Sequence, residues 1–324
     1  MITRILQYTC SLLYTIVQLI TGNISIRLYK CKKNPIFYRI GLFFQNDLSE
    51  KEDKHQFVVV FGGSHNEYGK QLCRELAKMQ SVYVINIDSP NDLFSSLSAG
   101  NYLQIDCTDF GNFEFLKECI DKMGKLISST PKINQHSTII VVNNVDTGSE
   151  RNGGRMGVLD EEHCAFMHTT SSNATNVMLM FSEIITRFEN SYFLYLINIS
   201  NVVGLHPNDY RDHSYAYSCS KAAVIQFHQS LTSEVNQYKR APFHTIKTLL
   251  VLLPFQKQET CMWKKLFSTL HTDKNKRSRK HVDKIIQALA SGRRGEFHLT
   301  DGFVENIKLN AKYKFKHFNE IHSF

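Results

Sequence analysis

FVVVFGGSHNEYGKQLCRELAKMQ, residues 57–80, decides the fold. Its first six residues form a short apolar run closed by glycine, the pattern of a strand buried on both faces of a parallel sheet. A turn bounded by Gly63 and Gly69 follows, and Lys70–Gln80 then sets Leu72, Leu76 and Met79 on one helical face. Strand, glycine turn and helix in this order aim the free N–H groups of a helix N-terminus at a pyrophosphate. Gly63 and Gly69 are therefore candidate cofactor-binding positions.

The pattern continues outward. Residues 82–87 (VYVINI) form a second apolar run that ends beside Asp88. A carboxylate there can take both ribose hydroxyls of NAD and would repel the 2′-phosphate of NADP, although Asn86 competes for the same slot. NAD is thus slightly favoured over NADP, with Lys70 at the helix start as a counterweight. Further apolar runs lie at 102–105, 138–142, 193–199 and 245–254, separated by helical patterns at 112–123, 163–188 and 218–238. Strands alternating with helices predict an α/β fold, a doubly wound parallel sheet with helices on both faces.

A chain of 324 residues suits one large α/β domain of about 250 residues plus an appendage. The eight cysteines include no C-x-x-C pair, which reads as reduced intracellular thiols. None of the fourteen histidines falls in an H-x-x-x-H frame, so no metal is expected. From Ile5 to Ile26 no residue is charged, long enough for a helix of about 20 residues to cross a hydrocarbon core. Gln7, Ser11, Gln18 and Asn23 interrupt it, so it either spans or lies in the interface. The basic cluster that follows (Arg27, Lys30, Lys32, Lys33, Arg39) places the rest of the chain on the cytosolic side. Two other clusters, 274–280 (KNKRSRK) and the tail Lys312, Lys314 and Lys316 with its interleaved aromatics, complete the +8 net charge. Lipid headgroups explain that pairing of basic and aromatic residues better than nucleic acid does. The expected organisation is an N-terminal hydrophobic anchor helix with its basic flank at 1–34, a linker at 35–55, the α/β domain at 56–305 and a basic, aromatic tail at 306–324.

Four landmarks then appear in order: the glycine turn at 62–69; Ile105-Asp106-Cys107-Thr108-Asp109 after the third strand; Val142-Asn143-Asn144 closing the fourth; and Tyr217-Ser-Cys-Ser-Lys221. Together they resemble the short-chain dehydrogenase/reductase family, whose domain is a Rossmann fold. The stretch from Ala216 to Glu234 resembles its membrane-anchored 17-beta-hydroxysteroid and retinol dehydrogenases. The resemblance implies that Asp106 holds the adenine amine, that Asn143 belongs to the cofactor-binding set, and that Lys221 binds the nicotinamide ribose. It implies an asparagine proton relay, Asn173 or its rival Asn176. It also implies a lipophilic alcohol or ketone substrate, an endoplasmic-reticulum or lipid-droplet membrane, and homodimers among the assemblies left open. The acid–base chemistry follows from spacing. Tyr217 and Lys221 share a helix face, and a neighbouring ammonium stabilises phenolate, pulling the tyrosine pKa of about 10 toward neutrality. Tyr217 can then give or take the carbinol proton.

The chain departs from the family pattern at four places. The middle glycine of the turn is Glu67, and its carboxylate is expected to cap the helix and stand where phosphate would bind. Asp146 replaces the glycine that ends the fourth-strand motif, and Phe255 follows Pro254 where another glycine belongs. The serine that polarises the substrate carbonyl aligns with Asn201, with Ser200 next door on the opposite strand face, so either can fill the role. Two functions follow: an NAD(P)-dependent oxidoreductase at a membrane, or a catalytically degenerate relative kept as a membrane-bound binding or scaffold module.

Overall fold

The computed structural model describes residues 56–79, 82–90, 101–130, 137–147, 163–188, 192–205, 215–237, 245–254 and 274–299. The expected anchor at 5–26, the linker at 35–55 and the tail at 306–324 lie outside the described residues. Among the described residues no helix is long and apolar enough to cross a membrane. Those from Gln56 to Leu289, with Arg293–Leu299, form one compact unit. The second unit contributes only Ala290–Gly292 to the description.

The strands are β1 (Gln56–Phe61), β2 (Val82–Asp88), β3 (Tyr102–Asp106), β4 (Thr138–Asn143), β5 (Phe193–Asn201), β6 (Ile246–Leu253) and β7 (Gly295–His298). They form one seven-stranded sheet in the order β3-β2-β1-β4-β5-β6-β7. Every neighbouring pair is parallel. The helices are α1 (Glu67–Ala77), α2 (Phe113–Ser129), α3 (His163–Thr170), α4 (Asn176–Phe188), α5 (Tyr215–Gln237) and α6 (Lys274–Ala290). The order of strands reverses between β1 and β4, so a crevice opens at their C-terminal ends, where open α/β sheets bind ligands.

The apolar runs become central strands because both faces are covered. In β1, Val58, Val59, Val60 and Phe61 are fully buried. Removing each such side chain from water contributes about 1.5–3 kcal/mol. On α2, Leu116, Ile120, Met123 and Ile127 recur at helical spacing and are all buried, and Asn112 caps the helix by accepting from Phe115 N. On α4 the same spacing buries Val177, Met180, Phe181 and Ile184.

Two elements lay outside the pattern read from the sequence. The basic run 274–280 opens α6, whose later residues His281, Val282, Ile285 and Leu289 are buried. The seventh strand, Gly295–His298, is half-buried throughout and has no apolar run to announce it. The single helix expected over 163–188 is split by one turn of π-helix, Ser171–Thr175.

A row of polar groups crosses the core between β4, β5 and α5. Asn143 Nδ2 donates to Asn198 Oδ1 at 2.9 Å, and Asn198 Nδ2 lies 3.2 Å from His228 Nδ1. All three residues are 1% exposed or less. The Asn198 donor leaves the imidazole proton on Nε2, which finds no partner among the described residues. Burial pushes the His228 pKa down to about 4. An imidazole held neutral when folded but free to protonate near 6.5 when unfolded loses stability as pH falls between those values, on the order of 3 kcal/mol in all. Chemical denaturation from pH 7 to pH 4 is expected to show this loss in the wild type. His228→Gln, which keeps an acceptor for Asn198, is expected to flatten it; an unchanged slope in that variant would place the proton uptake elsewhere.

Candidate functional site

The crevice between β1 and β4 is lined first by the glycine turn. Gly62 adopts φ 78°, and its N–H donates to Ile87 O at 3.0 Å. A Cβ on Gly69 would stand 2.6 Å from Gly62 O and 2.7 Å from Asn144 Nδ2, so only glycine lets α1 start this close to β1 and β4. Asn86 and Asp88, rivals in the sequence, divide the space beneath the turn. Asn86 is fully buried: its Oδ1 takes Gly63 N at 3.1 Å and its Nδ2 donates to Ser64 Oγ at 2.6 Å. Asp88, 1% exposed, stands at the strand end and accepts Ser64 N at 2.6 Å and Ser89 N at 2.7 Å. Burial raises its pKa against those hydrogen bonds. Asp106 lies beside it in register at the end of β3 and is exposed.

Glu67 does not cap the helix. The cap is Asn66, in extended conformation, whose Oδ1 accepts Gly69 N at 2.9 Å. Glu67 is the first helical residue, its side chain 41% exposed and 4.0 Å from Arg74. The expectation that its carboxylate caps the helix is therefore overturned. An acid in the first turn still complements the helix dipole from outside.

The C-terminal ends of β4 and β5 and the first turns of α5 bring the remaining groups together in a narrow cleft, lined among others by Asn66, Asn144, Asp146, Asn201, Tyr217 and Lys221. Tyr217 and Lys221 are 2% and 3% exposed. Lys221 Nζ donates to Val145 O at 3.0 Å and lies 2.8 Å from Asp146 Oδ1, a contact ion pair whose angles fall short of a hydrogen bond. It sits 5.2 Å from the centre of the Tyr217 ring. The Tyr217 phenol lines the same cleft as the Asp146 carboxylate. Burial first, then the Asp146 charge, holds the phenol well above its ordinary range. The expected pull of Lys221 toward neutrality is thus outweighed here, by burial first and then by the Asp146 charge.

The other candidates fall around this centre. Asn173 stands in the π-turn and is 1% exposed; its Oδ1 accepts Thr147 N at 2.8 Å, and its Nδ2 donates to Thr147 O at 2.7 Å and Ser220 Oγ at 3.3 Å. Its rival Asn176 turns away, donating to Phe110 O at 2.7 Å. Ser200 and Asn201 both border the cleft. The Ser200 hydroxyl donates to Lys221 O at 3.2 Å, whereas Asn201 Oδ1 accepts Val203 N at 3.0 Å and its amide end remains the donor. Asn143 keeps its carboxamide inside the protein, giving to Asn198 and accepting Val145 N at 3.2 Å. Its bond to Val145 N shapes the loop carrying Asp146. Reading the sequence found Asp146 as a departure but missed its partners, and missed the π-turn, whose only signal is the small polar run Ser171-Ser-Asn-Ala-Thr175.

These donors fit a dinucleotide: a glycine turn opening a helix, a carboxylate ending β2, and a lysine beside a tyrosine across the switch point. Among known proteins, the chain is 28% identical to the oxidoreductase-like protein SRL4 of Saccharomyces cerevisiae over 258 residues, 75% of this chain and 83% of that one. Its fold is similar to an oxidoreductase of the short-chain dehydrogenase/reductase family from Brucella ovis, solved with a partially ordered NAD (TM-score 0.54, 13% identity, 76% of this chain and 100% of that one). It is also similar to Cj0485 dehydrogenase (TM-score 0.55, 13% identity, 76% and 93%). Residues 56–257, more than half of the chain, match the short chain dehydrogenase family, and the chain belongs to that family.

Proposed function

We propose that this chain is an NAD(P)-dependent oxidoreductase that interconverts a lipophilic alcohol and its ketone or aldehyde at a membrane. The observation that carries it is the convergence of Tyr217 and Lys221 on one buried face of α5, inside a cleft at the C-terminal ends of β4 and β5. The cofactor, when bound, supplies or takes the hydride. Gly63, Gly69 and the α1 N-terminus hold its pyrophosphate, Asp88 and Asp106 its adenosine end, and Lys221 its nicotinamide ribose. Tyr217 moves the carbinol proton. Asn173 orders the Thr147 segment beside Ser220 and so keeps the proton path in place. Asn201, with its amide end as donor, polarises the substrate oxygen better than Ser200, whose hydroxyl serves Lys221 O. The uncharged segment 5–26 and its basic flank support attachment to an endoplasmic-reticulum or lipid-droplet membrane with the domain on the cytosolic side. A substrate that partitions into lipid suits that position. The alternative is a catalytically degenerate relative kept as a membrane-bound binding or scaffold module, which the substitutions at Glu67 and Asn201 support.

The test is binding first. Fluorescence titration of the full chain is expected to show NADH bound more tightly than NADPH, because Asp88 ends β2; binding of neither would sink the reading.

Glu67→Gly is expected to change NADH affinity less than about threefold, since the carboxylate faces Arg74 and solvent. A gain of tenfold or more would return Glu67 to the phosphate site. Tyr217→Phe is expected to lower turnover of lipophilic alcohols by about 100-fold or more while NADH affinity stays within about threefold. Undiminished turnover in that variant would remove Tyr217 from the mechanism.

A further inference from the structure

Asp146 stands where the family pattern has glycine, and a glycine there brings no side chain to the cleft. In this chain the position carries a carboxylate with two partners, both on α5. Lys221 Nζ is 2.8 Å from Oδ1, and the Tyr217 phenol, 5.2 Å from that nitrogen at its ring centre, lines the same cleft. The lysine side chain is 4% exposed and that of Asp146 26%, so the pair is screened by little water on the lysine side and opens to the cleft on the aspartate side. Among the described residues lining the cleft, Asp146 and Lys221 are the charged ones; the β1–α1 turn contributes Asn66, the segment just past β4 Asn144, and β5 Ser200 and Asn201.

A lysine beside a tyrosine can lower the phenol pKa only with net positive charge. A carboxylate in contact with that ammonium cancels it, and a carboxylate near the phenol also makes phenolate costly by like charge. Asp146 does both. A lysine that must hold ribose hydroxyls has three donors. Val145 O takes one of them here, and Asp146 competes for the rest.

We propose that Asp146 is a positioning residue that pairs with the Lys221 ammonium beside the Tyr217 phenol, and that a ligand carrying a vicinal diol must displace it from Lys221 to turn the lysine toward the tyrosine. The inference rests on the proposed function for the identity of the diol, the nicotinamide ribose, but its first consequence concerns the empty protein alone. The phenol of the resting site is a poor base, and it becomes a better one only when a diol separates the ion pair. The site is thereby switched on by its own cofactor.

The experiment uses the full chain and three variants: Asp146→Asn, Asp146→Gly and Asp146→Glu. Ionisation of Tyr217 is followed in the empty protein by the ultraviolet phenolate signal, with the Tyr217→Phe form of each variant subtracted, and circular dichroism at each pH checks that the chain stays folded. Asp146→Asn and Asp146→Gly are expected to lower the Tyr217 midpoint by at least about one pH unit, a tenfold change in acidity. Asp146→Glu is expected to restore the wild-type behaviour. NADH, titrated by fluorescence, is expected to bind Asp146→Gly at least about tenfold more tightly than the wild type, about 1.4 kcal/mol. A Tyr217 midpoint unchanged in both the asparagine and glycine variants overturns the inference, as does equal NADH affinity in wild type and Asp146→Gly. Failure of every form to bind NADH counts against the proposed function instead, and the tyrosine titration then decides the role of Asp146 by itself.

Discussion

The structure turns on a close approach of three backbone segments at the head of the sheet. Asn144, just past β4, donates from Nδ2 to Gly62 O at 2.7 Å and to Asn66 Oδ1 at 3.0 Å, and Asn66 in turn caps α1 at Gly69 N. One carboxamide thus ties the end of β4 to the end of β1 and to the start of α1. The contact leaves no room for a side chain on Gly62 or Gly69. A β-carbon at either would push the helix N-terminus away from the crevice that the strand order opens. The buried polar row from Asn143 through Asn198 to His228 performs the matching task one layer below, locking β4 and β5 to the face of α5 that carries Tyr217 and Lys221. Buried polar groups are tolerable only when paired, and pairing of this kind fixes register as well as energy.

That arrangement explains what was legible in the sequence. Five of the strands announce themselves because burial on both faces demands apolar runs such as Val58–Phe61 and Leu249–Leu253, while β3, read from a short run, is largely half-buried or exposed. The site's backbone was legible for a related reason: glycine at a crowded turn and a tyrosine and lysine one helical turn apart are local facts. β7 was not, since Gly-Glu-Phe-His is half-buried and held mainly by pairing with β6. α6 was hidden by its own first residues, where KNKRSRK suggests a charged surface before the apolar spacing begins at His281.

The partnerships were the illegible part, because they depend on which way a side chain turns. Glu67 and Asn66 are adjacent and both are plausible caps, yet one residue of register decides between them: the residue with extended backbone directs its side chain back to Gly69 N, and the next is already helical. Asn173 and Asn176 are separated in the same manner by the π-turn, which gives the former to Thr147 and the latter to Phe110. An extra residue in one helical turn is the sort of irregularity that recurs at functional sites. Nothing in the composition of a five-residue polar run distinguishes it from an ordinary helix.

Asp146 raises the question of why a lysine should be buried here at all. Removing an ammonium from water costs several kcal/mol even after relaxation, and a partner recovers that cost only with good geometry. Lys221 has one carbonyl at 3.0 Å and one carboxylate at 2.8 Å whose angles are imperfect. For the fold alone, a hydrocarbon side chain of similar volume would be as good or better at that position. Asp146 likewise gains little as a structural residue, since its side chain is a quarter exposed at the mouth of the cleft. A costly cation and an imperfect counter-ion beside a buried phenol make poor sense as packing. They make better sense as charge kept in balance until something enters the cleft and redistributes it. On the proposed reading, the departure from the family's glycine stands at the centre of how this chain would work.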